Sequence, residues 1–204
     1  MLKATAKVLS ALAESGLLLK QDKRLPNVVT ILTGDSLSMS WWSHPKSRLI
    51  FRVLSELGDH PDVLFTKLLL GKDTLVHRSV WPAFLAVVTA AAPWQVNRLS
   101  PAARTLLESV SEPRATVRAN GPPVRELVSK LLVRSFEVHT EAGRHAIALE
   151  SWPTWAARVK AAAPISVTDA REALESACLA LGAPLSALPW GPARHETTKQ
   201  STER

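Results

Sequence analysis

An α+β fold is predicted by three observations on this 204-residue chain. Several segments in both halves carry apolar residues at helical spacing, three or four apart. A β-rich run surrounds "GKD" in the first half, and "PPVRELVSKLLVRSFEVHTEAGRHAIALESW", residues 122–152, changes period partway along. Up to Leu132 its apolar residues recur as on a helix face, and from Ser135 they alternate as on a strand. A composition of 46% hydrophobic and 21% charged residues suits an ordered globule.

The elements follow in order. "LKATAKVLSALAESG" reads as an amphipathic helix with Leu2, Ala6, Leu9 and Leu12 or Ala13 on one face and Gly16 as its stop. "LPNVVTILTGDS" is too short for periodicity to decide between helix and strand. In "HPKSRLIFRVLSELG", Pro45 stands at a helix start, and Leu49, Ile50, Val53, Leu54 and Leu57 form a stripe ending at Gly58. "DVLFTKLLLGKDTLVHRSV" gives two β-rich runs around a turn, and "WPAFLAVVTAAA" opens another helix with Pro82 in its first turn. This small helix-rich α+β domain is assigned residues 1–95.

After the linker "APWQVNR" a second domain is assigned residues 98–157. Ser100 as N-cap, Pro101 at the first helical position and Leu106, Leu107 and Val110 on one side specify its first helix. "PRATVRANGPP" leaves room for a brief strand or one helical turn. A helix follows with Val124, Leu127, Val128, Leu131 and Leu132 inward. In the hairpin beyond it Phe136 and Val138 pair with Ile147 and Leu149 on the buried face, Ser135, Glu137 and His139 face out, and Gly143 permits the turn. "SVTDAREALESACLALG" makes a capped final helix at 166–182, and the polar stretch 189–204 reads as a disordered tail. No internal repeat is visible in the residues.

Several function classes recede on composition. No apolar run has the length to span a bilayer, and the first residues lack the pattern of a signal peptide. One cysteine, Cys178, gives neither an internal disulfide nor a cysteine zinc cluster, so a cytoplasmic protein is expected. His139 and His145 face each other across the hairpin without a third ligand, and no metal or other cofactor is expected. Neither a Gly-x-Ser-x-Gly motif nor a phosphate-binding loop occurs. The net charge of +7 favours a nucleic-acid partner. Residues 1–97 hold 11 Lys/Arg against 7 Asp/Glu, and 98–160 hold 10 against 6, without a continuous basic run. Such a distribution suits folded faces that touch phosphates.

Helix, short element, helix and β-hairpin is the order of a winged helix, a variant of the helix-turn-helix, in which the last helix enters the major groove and the wing lies along the backbone. On that plan Arg125, Ser129 and Lys130 occupy the polar face of the final helix, Arg144 and His145 the wing tip, and Arg114 and Arg118 precede the helix, all as double-stranded DNA contacts. Few of these side chains suit bidentate base reading, and Glu126 adds an opposing charge. Winged helices also serve as protein-interaction modules, and that alternative stays open.

The segments "SWWSHPKS", "FTKLLLGKDTLVHRSVWPAFLAVV" and "LSPAARTLLESV", followed by the helix and hairpin of 122–152, together resemble the AlkZ-related winged-helix proteins, relatives of the YcaQ-type crosslink-repair DNA glycosylases. The resemblance runs from about Gly16 to Ala156. It implies a DNA-associated protein concerned with repair, binding damaged or distorted duplex. The glycosylases it points to are longer, built from tandem winged helices, and orient the attacking water with a Gln-x-Gln or Gln-x-Asp motif. None of the three glutamines here matches; Gln95-Val96-Asn97 comes nearest but lies in the linker. No catalytic residue is therefore carried over, and a glycosylase would need a different catalytic group.

Two further constellations bear on nucleic acid. In "SWWSHPK" Trp41 and Trp42 face opposite ways if the chain is extended, so one anchors the core while the other, beside His44, Lys46 and Arg48, is free to stack on an unpaired base. The competing reading makes both of them core anchors. Lys67, Lys72, His77 and Arg78 lie on or near one hairpin, either as phosphate contacts or as a solvated edge that opposes aggregation.

Overall fold

A computed structural model describes residues 2–37, 40–112, 116–139 and 145–191, with the side chains of His139 and His145 excepted. It is a mixed helical and sheet structure with two small antiparallel sheets. Among the described residues no helix is long and apolar enough to cross a membrane.

The first half begins with α1 (Lys3–Ser15) and β1 (Leu17–Leu19). Gly16 joins them at φ +73°, and a Cβ there would meet Val80 Cγ1 at 3.1 Å, so both backbone and space call for glycine. The ambiguous segment is a helix, α2 (Val28–Thr33). Its ends decide it: the Asn27 side chain accepts from Thr30 N–H, and Gly34 closes it in the left-handed region. "WWS" forms a 3-10 turn (Trp41–Ser43) instead of extended chain, and α3 starts after the proline, at Ser47–Gly58. Ile50, Val53 and Leu57 of α3 are buried as its stripe predicts.

Strands β2 (Val63–Thr66) and β3 (Thr74–His77) pair antiparallel, with Leu64 opposite Val76, and β1 joins β3 on its other edge. The sheet order is therefore β1-β3-β2. The apolar run after Thr66 leaves the sheet: Leu68 and Leu69 turn into the core, and Leu70 N–H donates to Ala187 O. The helix α4 (Trp81–Val88) follows, and then a single turn, α5 (Pro93–Val96).

In the second half come α6 (Pro101–Ser111), β4 (Thr116–Arg118), α7 (Pro122–Ser129), β5 (Arg134–His139) and β6 (His145–Glu150). Ser100 caps α6 as predicted, accepting from Ala103 N–H. The sheet order is β4-β6-β5, the same arrangement as in the first half. The first half thus runs helix, edge strand, two helices, edge strand, central strand, and the second follows the same strand order with the single helix α7 in the middle. The repeat lies in strand order rather than in residues, which is why the sequence hides it.

The hairpin register differs from expectation. Phe136 lies opposite Ala148, Val138 opposite Ala146, Ser135 opposite Leu149 and Glu137 opposite Ile147. Leu149 is fully buried against Leu99, Val110, Val124 and Leu127, whereas Ile147 is exposed. A shift of one residue exchanges the two faces of a strand. Here alternation could not set it, because both faces are partly covered: one by α6 and α7, the other by buried Glu150 with Arg134 and Arg158.

The helices α8 (Trp152–Val159) and α9 (Val167–Ala180) return to the first half. Leu131, Trp152, Trp155, Leu174 and Cys178 share one apolar cluster with Val8, Leu57, Leu75 and Phe84. Trp81 meets Trp155 edge-on and Phe84 meets Trp152 edge-on, each at 4.9 Å between centroids. At the linker Gln95 is fully buried: its amide oxygen accepts from Ala92 N–H, and its amide nitrogen donates to Val88 O and Lys130 O.

Candidate nucleic-acid interface

The outward face of α3 gathers exposed cationic and aromatic groups. Ile50, Val53 and Leu57 turn inward, which leaves Arg48, Phe51, Arg52 and Ser55 together at spacings of three and four residues. Trp42, from the preceding 3-10 turn, lies at the end of this row, its ring 5.9 Å from Phe51. Trp42 is 61% exposed and Phe51 56%. With Ser47 they line an open groove of about 500 Å³.

Trp41 holds this surface from below. It is buried with Val29 and Ile50 and stacks on Trp42, centroids 3.9 Å apart at 26°. Of the two readings of this pair, both as core anchors or one buried and one exposed, the structure has the second, and the 3-10 turn places the rings face to face rather than on opposite sides of an extended chain. Neither Arg48 nor Arg52 forms an ion pair among the described residues. The one carboxylate of α3, Glu56, is turned toward α1, where it accepts from Thr5 Oγ–H and Leu2 N–H. Those two hydrogen bonds hold its pKa below the usual value.

Other predicted contacts are spent within the fold. Lys46 donates to Leu32 O and Thr33 O, closing α2, and His44 Nδ1 accepts from Lys46 N–H. Lys67 pairs with Asp73 at 2.5 Å, on which Lys20 also converges, and Lys72 pairs with Asp22 at 2.6 Å. Burial works against the charge of Asp22, but hydrogen bonds from Lys72 and from the N–H groups of Arg24 and Leu25 outweigh it and lower its pKa to about 2. His77 caps the turn at Ser79, and Arg78 reaches Asp62 at 3.4 Å and lies over the Trp81 ring. The lysines of this loop, β2 to β3, are thus fasteners as much as surface charge.

In the second half Arg125 and Ser129 are exposed on α7, and Arg118 is exposed on β4. Lys130 is not on that face: it ends α7 and donates to Trp94 O and Asn97 O in the linker. Glu126 is likewise occupied, accepting from Ser100 Oγ–H and N–H, which keeps its pKa low. Arg114, Arg144 and the turn at Gly143 lie outside the described residues, as does the side chain of His145.

A cleft of about 870 Å³ separates α4 from the second sheet, lined by Val88, Leu107, Leu132, Trp152 and Glu150. Glu150 is its buried carboxylate, and Oε1 accepts from Arg134 at 2.5 Å and Arg158 at 2.6 Å. A carboxylate so neutralised is poorly placed to act as a base. No group of three or more potential metal ligands occurs among the described residues.

Phe51 and Arg52 are the members of the α3 face that sequence reading passed over. The signal was present: once the inward stripe is drawn, an aromatic residue stands on the polar side between two arginines. No protein-family model, curated protein or solved structure matches this chain.

Proposed function

We propose that this chain is a DNA-binding protein made of two winged helices in tandem, related to the AlkZ-type repair proteins and gripping duplex DNA chiefly by its backbone. The α3 face carries this reading: it stands on the helix directly before a hairpin, the position of a recognition helix, and presents Arg48 and Arg52 without an ion pair among the described residues, Glu56 near Arg52 being hydrogen-bonded to Leu2 and Thr5. The repeated sheet order supports extending the assignment to both halves. Arg125 and Arg118 supply a second, smaller cationic face.

A base-excising activity has less support. Gln95 is enclosed and its amide is engaged on both atoms, leaving nothing to orient a water.

Anisotropy of a labelled duplex across a salt series tests the reading. Each phosphate contact contributes about 0.9 to the slope of log affinity on log salt, so losing two lowers the slope by about 1.8, roughly twelvefold between 50 and 200 mM. The R48A/R52A variant should show that fall, and K67A/K72A a smaller one, because those lysines already face Asp73 and Asp22. Absence of duplex binding at low salt would overturn the proposal and point to a protein partner.

A further inference from the structure

Resting on that DNA-binding reading, we propose that the Trp42–Phe51 surface receives an unpaired base, so that the preferred ligand is a duplex bearing an unpaired or single-stranded nucleotide rather than continuous duplex. Aromatic side chains this large are seldom left in water without a partner to cover them. Two features make the pair a platform rather than stray apolar area. One is rigidity: Trp41 lies buried under Trp42 in a stacked pair, so the upper ring is oriented before any ligand arrives. The other is shape: Phe51 is inclined at 40° to Trp42, giving a notch with an aromatic floor and an aromatic side.

Charge selects the occupant. Arg48 and Arg52 border the notch, Ser47 and Ser55 add hydroxyl groups, and the α3 carboxylate is turned away and bonded to α1. A ligand that complements this surface is planar and apolar in one part and anionic beside it, which describes a nucleobase with its flanking phosphates. In continuous duplex both faces of every base are covered by neighbours, so only an unstacked base can use the ring of Trp42. The cations alone serve any duplex, whereas the aromatic pair adds selectivity for the unpaired position.

The test compares a blunt duplex with the same duplex carrying one bulged thymidine, by anisotropy, and reads the ratio of their affinities. The wild type should favour the bulged duplex about tenfold or more, the scale on which base–aromatic stacking acts. Trp42→Leu and Phe51→Leu should each pull the ratio toward one, with Trp42→Phe retaining part of it. R48A/R52A should weaken both duplexes and preserve the ratio. Circular dichroism of each variant confirms folding, and Trp42→Phe guards against loss of the turn. Salt-dependent binding with a wild-type ratio of one would refute the stacking surface and leave the DNA-binding reading intact, whereas no binding of either duplex would remove both. Displacement of the bulged duplex by poly-glutamate at equal charge concentration, in a manner that depends on Trp42, would also overturn it in favour of an acidic protein segment.

Discussion

Replacing Glu150 with alanine should destabilise the protein by about 3 kcal/mol, the cost of removing one partner from a buried ion pair. The Glu150 side chain is 3% exposed and accepts two guanidinium groups that differ in their freedom. Arg158 is 54% exposed and can turn to water once the carboxylate is gone. Arg134 is 22% exposed, lies over the Phe136 ring at 4.7 Å, and has a buried Nε without a hydrogen-bond partner. Burial already lowers the pKa of Arg134, and the charge of Glu150 is the main influence opposing that shift. The penalty in Glu150→Ala therefore falls on Arg134. Urea unfolding measures it: with a slope of about 2–3 kcal/mol per molar, the midpoint should drop by 1 M or more. Arg158→Ala, by contrast, should cost less than about 1 kcal/mol because its head is largely in solvent. Exchanging Glu150 and Arg134 together for methionine should recover most of the loss, since hydrophobic replacement of a buried pair is often neutral or better. A Glu150→Ala variant as stable as Arg158→Ala, or a double variant no better than the single one, would refute this account.

Two further outcomes are expected. Gln95→Leu should cost about 2 kcal/mol by leaving the buried Val88 carbonyl and the half-buried Ala92 N–H without their partner, and a thermal melt reads this directly. Asp22 should govern part of the acid limb. Its pKa is depressed from 3.8 to about 2, so its contribution is fully present above pH 4 and is lost as pH falls through that interval. Asp22→Asn should be less stable at pH 7 and should lose less on acidification, and a variant whose acid limb matches the wild type's would contradict the assignment.

What could be read in the residues follows from the range of the interactions involved. Ser100 and Pro101 fix the start of α6 within a few positions of themselves, and the inward stripe of α3 is a property of one helix, so both were legible. The helical state of α2 rests on Asn27 and Gly34 at its two ends, signals outside the short window in which periodicity was sought. Lys67 and Lys72 looked like free cations because their partners come from two different places: Asp73 is a near neighbour across the turn, but Asp22 is 50 positions away from Lys72. The hairpin register was out of reach for a physical reason: Glu150, not the alternation of apolar residues, occupies the place between Arg134 and Arg158. On the candidate surface, Trp42 stood out by composition, while Phe51 and Arg52 emerge only when the helix is viewed end-on.

The position of α9 has a consequence for how the chain is made. Every residue of α4 except Pro82 is buried, and part of that cover comes from α9, much later in the chain. During synthesis the first sheet and α4 emerge well before α8 and α9, and for that interval one apolar helix lacks part of its final cover. The core of the first half is therefore not fully covered until residues 167–180 arrive. The repeated strand order therefore does not divide the chain into two separately covered cores. The earlier module shares its core with a helix made after the later module's sheet.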